Sequence, residues 1–300
     1  MRLGYACINL TLAEKKIKVN RSMMQRSFLE KGINHVSAMA LANIADLEKV
    51  IDWNIAHKIL LYRMSSDMFP WMSEYEITEL PHFDEIKIIL ARCGEKASSN
   101  KLRLTYHPGP FNVLASPNKK VLANTIKELR QHGEIMDLMG LPISPFCKIN
   151  IHVGGAYGDK TAALNRFAEA FKLLPDSARK RLTVENDDKA NLYSVKDLIW
   201  LYEQIEIPIV FDYFHHLFCT GGWDEETALA AAISTWPEGI KPIVHFSSPK
   251  KLYENPQAIA TAHADYLYEM LNFYGSDLDV MLEAKAKESA LLKFADQYSL

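Results

Sequence analysis

The sequence predicts a (β/α)8 barrel, and three observations carry that reading. Eight short apolar or β-branched runs recur along the chain, each four to six residues long, as buried parallel strands are. Longer amphipathic stretches separate them. No Gly/Ser/Pro-rich linker or composition break divides the 300 residues, so 1–300 reads as one α/β barrel domain. An open doubly wound sheet fits less well, because no GxGxxG-type phosphate loop follows the first run.

The expected strands are Leu3–Cys7, Ile59–Tyr62, Leu102–Tyr106, Lys148–Val153, Leu182–Glu185, Ile207–Phe211, Pro242–Phe246 and Leu278–Leu282. The segment 9–58 is long for one crossover and is expected to hold extra helices. Asn118–Leu138 places Val121, Ile126, Leu129 and Met136 on one helical stripe. Asp159–Leu174 does the same with Leu164, Phe167, Ala168 and Phe171. Ser194 is a candidate N-cap for a helix over Ser194–Gln204. Trp223–Ser234 begins with Asp224, Glu225 and Glu226, which suit the positive end of a helix dipole.

Composition narrows the function. The net charge of −3 argues against a generally basic nucleic-acid coat, although local basic patches or bound cations still attract phosphate. No run approaches the ~18 apolar residues of a membrane span. The N-terminus lacks the apolar region of a secretion signal. Four scattered cysteines without a CxxC pair exclude a disulfide framework or zinc ribbon and fit a reducing, cytoplasmic setting.

In such a barrel, chemistry sits at the C-terminal ends of the strands. Strands three to eight end in His107, His152, Glu185, Asp212, His245 and Glu283. One histidine or carboxylate at a strand end is commonly a hydrogen-bonded structural residue or a helix cap. Six metal-ligand types in succession on one rim are another matter, since grouped buried carboxylates are costly without cations. His215, three residues after Asp212, and His263 bring the set to eight, enough for two or three divalent ions. Mixed imidazole and carboxylate ligands suit Mn2+, Zn2+ or Fe2+ better than Ca2+. Such a cluster binds phosphate oxygens and lowers the pKa of a bridging water, the chemistry of phosphodiester hydrolysis.

The ordered motifs resemble those of UV damage endonucleases, relatives of endonuclease IV among the xylose-isomerase-like barrels. The match runs through Leu3-Gly4-Tyr5, Cys7, Asn9-Leu10, His107-Pro108-Gly109, His152, Gly154-Gly155-Ala156-Tyr157-Gly158 and Glu185-Asn186-Asp187. It continues through Asp212, His215-His216, His245 and Glu283-Ala284-Lys285, with Lys287-Glu288 beyond. The resemblance implies three divalent ions, usually Mn2+, with Zn2+, Co2+ or Mg2+ as alternatives. It implies flipping of a damaged nucleotide out of double-stranded DNA and incision immediately 5′ of a cyclobutane pyrimidine dimer or 6-4 photoproduct. His107, His152 and Glu185 would hold one ion. Glu185 would bridge to a second, held also by Asp212, His245 and Glu283, and His215 with His263 would hold a third. Glu185, Glu283 and His107 are the expected catalytic residues.

Tyr5 and Asn9 match positions that line the damage pocket, with strand packing and turn hydrogen bonding as their plain alternative. Pro110-Phe111 stands where many members carry Gln followed by an aromatic residue that wedges into the duplex. Phe111 keeps a stacking ring, whereas Pro110 offers no amide to the orphaned bases. Some relatives carry a lysine two residues before the seventh-strand histidine; this chain has Ile243 there. Lys250, Lys251, Lys285 and Lys287 are expected on the catalytic face as phosphate contacts, and Arg179-Lys180-Arg181 on the opposite one. No protein partner is implied, and a prokaryotic member would work at the nucleoid. Three other readings stay open: an abasic-site nuclease, a metal-dependent sugar isomerase or epimerase, and a non-catalytic damage sensor. The ligand count exceeds what an isomerase needs, and a pure sensor has no use for a hydrolytic cluster.

Overall fold

A computed structural model describes residues 1–300. Its eight strands are β1 (Leu3–Ala6), β2 (Leu61–Met64), β3 (Arg103–Tyr106), β4 (Ile149–Ile151), β5 (Leu182–Glu185), β6 (Ile209–Val210), β7 (Ile243–Phe246) and β8 (Asp279–Leu282). All pair in parallel, in the order β6-β5-β4-β3-β2-β1-β8-β7. The remaining gap closes where the His245 amide donates to the Phe211 carbonyl at 2.9 Å, beside a single bridge between Asp212 and His245. The expected barrel is therefore the observed one. β1, β3, β7 and β8 are one residue shorter than read from sequence, β4 and β6 three residues shorter, and β5 has the expected bounds. β2 lies two residues later, because its register with β1 and β3 carries pairing on to Arg63 and Met64.

The long first crossover holds α1 (Leu10–Glu14) and α2 (Gln25–Ala56), the latter interrupted at Gly32, where φ is +66°. The other helices are α3 (Phe83–Ser99), α4 (Lys119–Leu138), α5 (Lys160–Phe171), α6 (Asp176–Arg179), α7 (Val195–Ile205), α8 (Tyr213–His216), α9 (Glu225–Ser234), α10 (Lys250–Tyr253) and α11 (Lys287–Tyr298). Their starts obey local chemistry. Asn118, Asp159 and Asp224 accept backbone N–H groups at the N-termini of α4, α5 and α9. Ser194 and Asp197 form a reciprocal capping box on α7.

The floor of the barrel is polar and closed. Arg103 is fully buried, and its guanidinium donates to the carbonyls of Phe146 and Lys241 and to Asp279. Asp279 also takes the Arg2 side chain at 3.0 Å. Arg181, of the Arg179-Lys180-Arg181 cluster expected on the face opposite the catalytic one, is a structural residue. It is buried and spends its donors on the carbonyls of Pro142, Gly133, Ser177 and Leu141 and on Asp137. With the lower end plugged, the strand C-termini form the end of the barrel that carries the histidines and carboxylates.

Candidate metal centre

Glu185, the last residue of β5, is the hub. Its Oε2 lies 3.1 Å from His107 Nε2 and 3.1 Å from His245 Nδ1, and accepts a short hydrogen bond from Asn150 Nδ2. Its Oε1 lies 3.4 Å from His215 Nδ1. Asp212 follows β6 and caps α8, accepting the His215 amide at 2.9 Å; one strand end thus fixes two of the expected ligands together. Asn186 braces this corner. Its side-chain amide exchanges hydrogen bonds with the Asp212 backbone, and its own carbonyl accepts from the His215 ring. Glu283 follows β8, with Oε1 at 3.2 Å from His245 Nδ1. Two triads, His107-His152-Glu185 and Glu185-Asp212-His245, bring their ligand atoms within 4.8 Å of one another. His263 stands at the margin, its ring 6.2 Å from that of His215 and edge-on to Phe214.

These groups fit a divalent cation. Glu185 Oε1, Asp212 Oδ2 and the Nδ1 atoms of His152, His245 and His263 are buried without a hydrogen-bond partner. Buried polar atoms are normally satisfied, and acceptors converging this way suit a positive charge between them. The titration behaviour agrees. Burial alone would drive Glu185 toward protonation, but His245, His152 and His107 outweigh it and hold the carboxyl well below the ordinary range. Glu283 behaves alike, with Arg63 and His245 overcoming burial. Asp212, less well compensated, is pushed up to about 7 by burial. Burial also drives His245 down to about 4, leaving the neutral ring that a metal requires.

Four residues complete the centre that strand-end reading did not single out. Arg63, on β2, donates a short hydrogen bond to Glu283 and is nearly buried. Asn150, on β4, fixes Glu185 and in turn accepts from Thr183 Oγ1. Asp187 sits 3.4 Å from His152 Nδ1. Lys148 enters from below β4, its Nζ 3.1 Å from His245 Nε2.

A cleft of about 530 Å3 opens beside the centre, lined by Pro110, Asn112, His152, Gly154, Asp187 and His215 among others. Phe111 stands at its edge with 86% of its surface exposed. Lys285 is exposed on the same end, while Lys287 is half-buried beside Arg63 and Cys7. Lys250 is not a free phosphate contact: its Nζ is engaged by Asp265 at 2.9 Å. Tyr5 and Asn9 are buried and bonded to each other. Asn9 Nδ2 donates to the Tyr5 oxygen, the Tyr5 hydroxyl donates to Asn54, and Asn9 Oδ1 accepts the Leu12 amide as the cap of α1. Glu288 likewise accepts the Leu10 and Thr11 amides at the same corner.

The family model described as UV-endonuclease UvdE matches residues 1–300. A UV DNA damage endonuclease of Bacillus velezensis is 36% identical over 86% of this chain and 81% of its own length. Among solved structures, SacUVDE superposes with a TM-score of 0.85 at 31% identity, covering 100% of this chain and 99% of that one. Endonuclease IV from Thermus thermophilus shares the fold at a TM-score of 0.58 and 14% identity, covering 100% of this chain and 99% of that one.

Proposed function

The chain belongs to the UV-endonuclease UvdE family and is a metal-dependent DNA endonuclease, and from that premise we propose that it cuts the phosphodiester immediately 5′ of UV photoproducts in duplex DNA. The observation that carries the reading is the convergence of Glu185 and Asp212 with His107, His152 and His245, several of their polar atoms unpartnered, beside an open cleft. His107, His152 and Glu185 would hold one divalent ion; Glu185, Asp212, His245 and Glu283 a second; His215 with His263 a third, Mn2+ being the leading candidate. When bound, such ions polarise the phosphodiester, make a nucleophile of water and neutralise the leaving oxygen.

The protein's own groups do the rest. Asn150 and Asn186 hold Glu185 and Asp212 in place, so the ligand oxygens are oriented before DNA arrives. Glu185, Glu283 and His107 face the reacting phosphate. Phe111 stacks into the gap left when the lesion leaves the duplex. A photodimer stacks poorly, so extruding it costs less than extruding intact bases, which supports selection by deformability. Pro110 supplies a rigid turn and no amide. Tyr5 and Asn9 support the floor of the β1 corner behind this pocket. Lys285, and Lys287 where it reaches the surface, meet the DNA backbone. The site serves duplex DNA without an obligate protein partner, in the cytoplasm or at the nucleoid, and residues 1–300 act as one barrel unit. No helix is long and apolar enough to cross a membrane.

The test is incision of an end-labelled duplex carrying one thymine dimer, with Mn2+ and with EDTA, beside undamaged and abasic duplexes. A single cut directly 5′ of the dimer, abolished by EDTA, is expected. Cutting of the abasic duplex alone would replace this reading with an endonuclease IV-like one. No cutting by a metal-loaded protein would bring the sugar isomerase reading forward.

A further inference from the structure

Lys148 is the one amine brought inside the barrel beneath the metal centre. It is fully buried, an expensive placement for a cationic side chain. If its role were to neutralise the carboxylates, Nζ would lie against Glu185 or Glu283, as Arg63 lies against Glu283. It does not. Its hydrogen bond goes to the far edge of His245, with Nζ 3.1 Å from Nε2. The near edge of the same ring, Nδ1, faces Glu185 at 3.1 Å, Glu283 at 3.2 Å and Asp212 at 4.0 Å and has no hydrogen-bond partner.

Half a turn of the imidazole about its bond to the chain swaps Nδ1 with Cδ2 and Nε2 with Cε1, so a partner on Nε2 also fixes where Nδ1 points. Histidines that hold metals are usually fixed by a partner on the other nitrogen, which sets ring orientation and tautomer. That partner is commonly a carboxylate, a carbonyl or water that accepts the ring N–H; here, for Nδ1 to be free for a metal, Nε2–H must donate to the uncharged amine of Lys148, since an ammonium donating to Nε2 would leave the ring proton on Nδ1. We infer that Lys148 is a positioning residue, anchoring Nε2 of His245 so that Nδ1 is the edge presented to a divalent cation. The inference rests on the metal-centre reading above and adds which nitrogen binds and what holds it there.

The experiment compares wild-type protein with Lys148→Met, a side chain of similar length without the hydrogen bond. Mn2+ binding is followed by titration and by metal content after dialysis, and folding by circular dichroism. A folded variant that binds Mn2+ about 10- to 100-fold more weakly at one site is expected. A folded variant with wild-type Mn2+ affinity and stoichiometry overturns the inference. Independently, long-range 1H–15N spectra of Zn2+-loaded wild-type protein labelled at histidine report which nitrogen of His245 carries the metal. Nδ1 is expected, and Nε2 overturns the inference even if the methionine variant does not fold. If wild-type protein takes up neither Mn2+ nor Zn2+, the metal-centre reading itself fails, a result distinct from an unaffected variant.

Discussion

At the scale of single residues, Arg63 and Phe111 make opposite predictions. Arg63 is the buried counter-ion of Glu283. Removing one partner of such a pair strands the other, so Arg63→Met should cost the metal-free protein about 3–5 kcal/mol in urea unfolding. Added Mn2+ should restore part of that loss, because a cation on Glu283 replaces the missing guanidinium; an equal loss with and without Mn2+ would show that the pair stands apart from the metal centre. Phe111 makes no comparable contribution to folding, being 86% exposed. Phe111→Ala should leave unfolding within about 0.5 kcal/mol of wild type. It should raise KM for a dimer-containing duplex roughly tenfold, from the ~1–3 kcal/mol that stacking on a base supplies.

Strand ends make the residue scale partly legible from sequence. His107, His152, Glu185, Asp212, His245 and Glu283 each follow a short apolar run, so local pattern alone places them on one rim. Arg63 escapes because a charged residue after Leu60-Leu61-Tyr62 looks like the end of a strand. It continues β2 because pairing with β1 and β3 runs through it, and Glu283, far away in sequence, neutralises it there. Lys148 reads as a strand residue, but which way it points depends on the register of β4 with its neighbours, which no local pattern carries. Tyr5 and Asn9 show the reverse limit: their position in a motif says nothing of the hydrogen bonds that bury them.

At the scale of elements, the loop after β4 shows how backbone shapes the cleft. Gly154 has φ of +97°, and a Cβ there would stand 2.4 Å from Val113 Cγ1. Gly154→Ala therefore meets two faults, a backbone conformation that L-residues avoid and a collision across the cleft wall. A loss of about 1–3 kcal/mol is expected in denaturant unfolding. Adding Val113→Ala should relieve the collision and leave the backbone part. Full recovery would mean that the conformation itself is unstrained. Helix starts are the most legible elements, because Asn118, Asp159, Ser194 and Asp224 are caps whose chemistry is local. The break at Gly32 within α2 is not, since a glycine in a helical pattern has no obligatory consequence.

At the scale of the whole molecule, the metal-free centre ties stability to pH. Burial opposes charging of His152 and His215, but Glu185 and Asp187 outweigh it for the first, reaching about 9, and Asp212 and Glu185 for the second, reaching about 10. Both lie above the ordinary histidine value near 6.5, so their stabilisation is complete below that value and is lost as pH rises through 9 to 10. Lys148 acts with the opposite sign: burial sets it at about 7 against an unfolded value near 10.4, so it offsets part of that loss from pH 7 upward, while His245, driven by burial to about 4, no longer contributes above pH 7. Two histidines outweigh one lysine between pH 7 and pH 9, so the melting temperature of chelator-treated protein should fall across that window. Protein loaded with Mn2+ should resist the fall, because ligation needs these rings unprotonated. A metal-free melting temperature that is flat or rising across that window would refute the charge assignment.

β6 contributes only two residues to the barrel, and its junction with β7 rests on one bridge, between Asp212 and His245. The cylinder is thus stitched shut at its thinnest seam by two residues whose side chains also sit in the metal centre. A cation drawing them together would tighten the stave joint of the whole cask, so that loading the catalyst and hooping the barrel become one event.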